Sequence, residues 1–275
     1  MEKSVKIIIR KLNAIGSQLG YPYYFYPDGS YGKDETRGVV KVSSPLGQME
    51  IKDPHPQYAS IADLYTKSLP TAQALDYLYA NGDISPKRLN QEITGIIGWK
   101  NPDKEAPVGK RALCFTFHGW KYDDFMSNQD FSQNNHFSLY DIQGTSGKQN
   151  SFQLQELAKK HQIDIIALNH CLNYAENGLS KGDCFLPSQE ELRLVEPVFL
   201  DLVNQIESFD FGSSERVRNK RFGTNITILK HFLFTSNLVM PNSIVCFLYY
   251  PEQTQAKFYH KDLNDCACIA PVFWI

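Results

Sequence analysis

Between Pro187 and the C-terminus the apolar side chains change their spacing, and that change restricts the chain to folds in which helices precede a sheet. Ser188 and Glu191 stand three residues apart ahead of an apolar run, the spacing of a capping box at a helix N-terminus. Leu192 and Val195 continue that helix until Pro197, which lacks the N–H a helix interior needs; it ends the first helix and opens a second over Pro197 to Ser208. Phe199, Leu202, Val203 and Ile206 then form one inward stripe. From Phe232 the pattern becomes short β-type runs, at Phe232–Thr235, Ile244–Tyr250, Ala256–Tyr259 and Cys268–Ile275. The expectation is an α+β chain whose terminal sheet is antiparallel.

Upstream the signals are more local. Tyr21 to Ser30 is an aromatic run bounded by turn residues, and Gly38–Val42 reads as a strand, so the N-terminal segment is expected to be small and mixed β/α. Two prolines hold Asp53–Ala59 extended. Ser60–Ala80, interrupted by Pro70, is read as two short helices; Ser85 and Pro86 as the cap and first position of another, with Leu89 and Ile93 on one face. Gly95 to Pro107, with its glycines and prolines, is read as a boundary, dividing the chain into 1–106 and 107–275. Beyond it, Ala112–Phe117 is a strand, Trp120–Asn150 mostly loop, and Ser151–His161 a helix capped by Ser151 with basic residues at the negative end of its dipole.

The 275 residues suffice for a substantial core, and a net charge of −2 gives no bulk attraction to nucleic acid or to an anionic membrane. No run approaches the length of a membrane span and no signal peptide is recognisable, so membrane insertion is not expected. The six cysteines are expected to be reduced core residues.

Four stretches carry a resemblance. Gly147–Ser151 is similar to a Gly-Lys-x-Asn-Thr element, Ala167–Tyr174 to Ala-x-x-x-Cys-x-x-Tyr, Lys181–Leu192 to Gly-x-Trp-Tyr-Leu-Pro-Ser-x-x-Glu-Leu, and the pair Phe232–Ser236 and Ile269–Val272 to Tyr-Trp-Ser-Ser-Thr and Val-Arg-Pro-Val. Together they resemble the C-type-lectin-like domain of gut-bacterial surface proteins and phage adhesins, some of them diversified by retroelements. Cys184, Leu233 and Ala270 depart from that pattern. The resemblance implies a lectin-like domain over 107–275 and a ligand surface within Thr235–Cys268. Asn237, Asn242, Tyr249, Tyr250, Tyr259, His260 and Asn264 are its candidate ligand-binding residues, because Tyr and Asn combine contact area with adaptable hydrogen bonding. Asp53–Ala59 is similar to a short element of phage tail-fibre and virion appendage proteins. The implied function is that of a bacteriophage virion protein, assembled in the host cytoplasm, whose N-terminal segment attaches or oligomerises, with a trimer favoured. Its implied partners are other virion proteins and a host-surface protein or glycan. A bacterial surface or secreted adhesin is the alternative.

Catalytic signals are weak. Cys266-Ala267-Cys268 could point two thiols to one side of a strand, like the copper-binding pair of the related formylglycine-generating enzyme, but no further ligands stand at metal-site spacing. Asp123 and Asp124 supply too few oxygens alone for calcium. No nucleophile motif accompanies the histidines. The expectation is a non-enzyme with no cofactor and no metal.

Overall fold

The inner strands of the six-stranded sheet at the centre of the C-terminal unit are buried on both faces, and most of the architecture follows from that. The computed structural model describes residues 61–127, 141–214, 217–219, 226–239 and 243–275, with four two-residue strands nearer the N-terminus. The chain divides into two units, 1–64 and 65–275.

In the first unit, β1 (Tyr24–Phe25) pairs antiparallel with β2 (Tyr31–Gly32), and β3 (Ser43–Ser44) with β4 (Gly47–Gln48). Helix α1 covers Ile61–Leu64. Gly38–Val42 and Asp53–Ala59 lie outside the described residues.

The second unit is α+β, with two sheets. The five-stranded sheet contains β5 (Tyr77–Tyr79), β6 (Ile84–Ser85), β7 (Ile93–Lys100), β8 (Ala112–Thr116) and β15 (Val272–Trp274), in the order β15-β8-β7-β5-β6. The six-stranded sheet contains β9 (Trp120–Asp124), β10 (Phe209–Phe211), β11 (Phe232–Val239), β12 (Ser243–Tyr250), β13 (Gln255–Asp262) and β14 (Cys266–Ile269), in the order β10-β9-β14-β11-β12-β13. The helices are α2 (Gly147–His161), α3 (Ile166–Asn173), α4 (Gln189–Val195), α5 (Phe199–Gln205) and α6 (Ile226–Lys230).

Alternate residues of the central strands enter different cores, as the period of two requires. Leu233, Phe247 and Cys268 meet Phe199 and Leu202 of α5, Leu192 of α4, and Phe115 and Ile96 of the five-stranded sheet. Phe234, Cys246, Ala267 and Ile269 face the opposite way, toward Leu154 of α2 and Leu168 of α3. A sheet covered on both sides reads as a near-continuous apolar run, which accounts for Ile244–Tyr250 and Cys266–Ile269. The edge strand β13 is largely exposed and carries Lys257 and Lys261, charges that discourage edge-to-edge pairing.

Several local expectations are corrected. Ser85 does not cap a helix; its hydroxyl accepts from Lys87 N at 3.1 Å, and Ile93–Lys100 is a strand. The boundary expected at 106/107 falls inside a β-hairpin: Lys100 pairs with Ala112, Asn101 N donates to Arg111 O at 2.8 Å, and Pro102, Pro107 and Gly109 occupy its loop. Of the two short helices expected in Ser60–Ala80, α1 and the single turn Leu69–Thr71 form, while Tyr77–Tyr79 is a strand. Trp120–Asp124, expected in a loop, is a sheet strand. Helix α2 starts at Gly147 with Ser146 as its cap; the Ser151 hydroxyl accepts from Leu186 N at 3.1 Å instead.

The terminal sheet is mixed: β14 lies between a parallel partner, β11, and an antiparallel one, β9, and β10 runs parallel to β9. The expected last strand divides at Ala270-Pro271. Pro271 has no N–H for a ladder, and beyond it the chain crosses to β8 of the other sheet, where Val272 pairs with Phe115.

Candidate functional site

Two places draw together the residues singled out in the sequence. The first is a buried polar cluster where three of the resemblance stretches meet. The capping box forms: the Ser188 hydroxyl accepts from Glu191 N at 3.1 Å, and Glu191 Oε2 accepts from Ser188 N at 2.8 Å. The same Oε2 accepts from Gly147 N at 3.1 Å, and Oε1 accepts from Trp274 Nε1 at 2.9 Å. One carboxylate therefore ties the starts of α2 and α4 to the last strand. Burial raises the Glu191 carboxyl above its ordinary range, opposed by these donors. Gly147 has to be glycine here, since a Cβ would lie 2.4 Å from both Glu191 Oε2 and Leu186 O.

The register of β11 against β12 shifts between Phe234 and Leu238, and the bulged residues serve this cluster. Thr235 Oγ1 donates to Val245 O at 2.8 Å, Ser236 N donates to Pro187 O at 2.7 Å, and Asn150 Nδ2 donates to the Ser236 hydroxyl at 3.2 Å. Asn237, a candidate ligand contact, is 3% exposed; its Oδ1 accepts from Gln189 N at 2.7 Å and its Nδ2 donates to Gly144 O at 3.1 Å. Its amide caps α4 and is not offered to a ligand. Asn237→Ala is expected to lower stability by about 1–2 kcal/mol, read from urea unfolding, because Gln189 N loses its acceptor.

The second place is a cleft of about 430 Å³ at the end of the six-stranded sheet, lined by residues of α6, β9, β11, β12, β13 and β14. Its apolar walls come from Ile228, Leu229, Phe232 and Leu248; Tyr250, Tyr259, Lys261 and Asp265 supply polar groups. The Tyr250 and Tyr259 hydroxyls share a hydrogen bond of 2.5 Å, which raises the Tyr250 phenol above its ordinary value. Lys261 lies 5.7 Å from the centre of the Phe232 ring and 4.0 Å from the Asp265 carboxylate. Ile228 is 57% exposed and Tyr259 36%.

Of the seven candidate residues, Tyr250 and Tyr259 line this cleft. His260 is exposed on β13, and Asn264 is half-buried in the β13–β14 turn. Tyr249 is corrected with Asn237: it points into the core, 5.4 Å from the Phe199 ring and 6.3 Å from His231. Asn242 lies outside the described residues. Adjacent residues of β12 face opposite ways, so Tyr250 and Tyr249 had to differ in burial, and only the register decides which is open. Phe232, Ile228 and Lys261 were missed; the period of two that links Lys261 to Tyr259 was the available signal.

The cysteine pair is buried. Cys266 Sγ donates to Asp124 Oδ1 at 2.8 Å, and burial pushes the Cys268 thiol up, which holds it protonated and weakly nucleophilic. Asp123 is engaged by Lys121 at 2.5 Å and by Asp124 N at 2.9 Å. Among the described residues no three His, Cys, Asp or Glu side chains are grouped to hold a metal ion, and no helix is long and apolar enough to cross a membrane. Comparison with family models, curated proteins and solved structures finds no match.

Proposed function

We propose that this chain is a bacteriophage virion protein whose C-terminal unit acts by recognition, taking a host-surface ligand into the cleft between Phe232, Tyr250 and Tyr259. The observation that carries the reading is the cleft itself: apolar walls with a few polar groups at the mouth, and a volume within the roughly 300–1,000 Å³ typical of small-ligand sites. Phe232 and Tyr250 stand on inner strands packed on both faces, which gives that wall of the cleft a rigid base, while Tyr259 stands on the edge strand β13. The resemblance to C-type-lectin-like domains supports recognition as the activity. That of Asp53–Ala59 to virion appendage proteins supports display in several copies, a trimer in the first instance, with avidity multiplying a modest single-site affinity.

The test uses the full chain, fluorescently labelled, on a panel of bacterial cells, beside mass spectrometry of purified particles of the encoding phage. Tyr259→Ala is expected to weaken cell binding roughly 10- to 30-fold, the usual cost of removing an aromatic anchor. Asn237→Ala, once refolded below its unfolding transition, leaves binding unchanged. Cell binding indifferent to Tyr259→Ala would remove the cleft from the reading, and a chain missing from the particles would remove the virion.

A further inference from the structure

The proposed cleft has a charge pattern that narrows its ligand. In β13 the period of two places Lys257, Tyr259 and Lys261 on one face, and the register sets them opposite Leu248, Cys246 and Ile244 of β12. The Lys257 ammonium lies 5.5 Å from the centre of the Tyr250 ring, and Lys261 holds the corresponding place over Phe232, 5.7 Å away. The hydrogen-bonded tyrosine pair thus lies between two ammonium groups. Among the described residues Asp265 is the one carboxylate in the cleft lining, and it already faces Lys261 at 4.0 Å. Lys257, beside Tyr250 at the rim, adds a second ammonium to the Lys261–Asp265 pair of the lining.

Each part of this arrangement selects a chemical feature. Exposed aromatic faces take the C–H face of a pyranose ring, and tyrosine hydroxyls exchange hydrogen bonds with sugar hydroxyls. The two ammonium groups, strongly hydrated point charges on flexible stems, take carboxylates. Lys257 and Lys261 are four residues apart on one strand, about 14 Å along the backbone at ~3.4 Å per residue, a span suited to an oligosaccharide better than to a single sugar.

We infer that the cleft binds an acidic oligosaccharide, a stretch of uronate- or sialate-bearing glycan, with a sugar ring on the exposed Tyr259 and carboxylates at Lys257 and Lys261. The inference rests on the recognition reading above and specifies its ligand.

The experiment is calorimetric titration of the full chain with a panel of short acidic oligosaccharides: galacturonate, glucuronate, mannuronate, guluronate and sialate oligomers, each beside its methyl ester, which keeps the rings and removes the charge. At least one acid is expected to bind about ten times more tightly than its ester at low salt, with the gap closing as salt is raised. Lys257→Gln with Lys261→Gln, both on an edge strand, should abolish that gap and its salt dependence. Tyr259→Ala should weaken acid and ester alike. Equal binding of every acid and its ester, or a gap that survives the double lysine variant, overturns the inference. So does a panel in which nothing binds; if Tyr259→Ala still lowers cell binding in that case, the recognition reading stands with a different ligand. Indifference of cell binding to Tyr259→Ala overturns both.

Discussion

Glu191→Ala should lower the stability of the C-terminal unit by about 3 kcal/mol, seen as a fall of roughly 6–12 °C in the thermal midpoint of a domain this size. Three donors would be left without their acceptor: Gly147 N, Ser188 N and Trp274 Nε1, all of them served by one carboxylate. Each hydrogen bond to a charged group contributes about 1.5–3 kcal/mol, and relief of the buried charge offsets part of their sum. Glu191→Gln is the sharper comparison. The amide keeps the size but has one acceptor oxygen, so it serves either the two backbone donors or the indole, for an expected loss of about 1–2 kcal/mol.

The pH dependence carries its own sign. The folded Glu191 carboxyl titrates above its unfolded value, burial being the larger cause, so the folded state binds more protons between the two. The stability this group contributes is full below the unfolded value, near pH 4.3, and is lost as pH rises through the folded one. The stability difference between the native chain and Glu191→Gln should therefore widen as pH falls from neutral into that window, measured by urea unfolding at a series of pH values. A difference independent of pH would show that Glu191 does not titrate with folding.

Phe199→Ala should cost about 3–5 kcal/mol, enough to unfold a domain of ordinary stability or leave it marginal. The ring is fully buried where α5 meets the six-stranded sheet, 4.8 Å from Phe247 and 5.4 Å from Tyr249 by ring centres, with His231 at 6.5 Å. The ring fills the space between α5 and β12, so its removal leaves a cavity there. Phe199→Leu, which keeps most of the volume, should cost less than half as much. Denaturant unfolding of the two variants reads this directly, and equal losses would show that aromatic edge contacts, rather than volume, hold the site.

Part of this fold could be read one residue at a time. The Ser188–Glu191 capping box, the break at Pro197 and the inward stripe of Phe199, Leu202 and Val203 are local, because a helix start and a helix stop depend on backbone groups within one turn. The apolar runs at Phe232, Ile244 and Cys268 were legible as strands for the same reason. What local rules could not supply was pairing. Ser85-Pro86 satisfied the rule for a helix start, yet Ile93–Lys100 gains more by joining β5 and β8 as a buried strand, and tertiary pairing overrode the propensity. Gly95 looked like linker, but a Cβ there would meet Phe115 O at 2.5 Å, so its missing side chain serves close approach of two strands.

The candidate site shows the same division. Sequence chemistry singled out Tyr249, Tyr250, Tyr259 and Asn237 as one class, since residue type alone does not encode which side of a strand faces out. Strand register placed Tyr250 and Tyr259 at an open cleft, turned Tyr249 into the core, and assigned Asn237 to the cap of a helix distant in sequence. The amino-acid sequence by itself determined the capping box at Ser188, the break at Pro197, the apolar strand segments from Phe232 onward and an α+β chain. Only the tertiary structure decided their partners and exposed faces, because those depend on contacts between residues far apart in the chain.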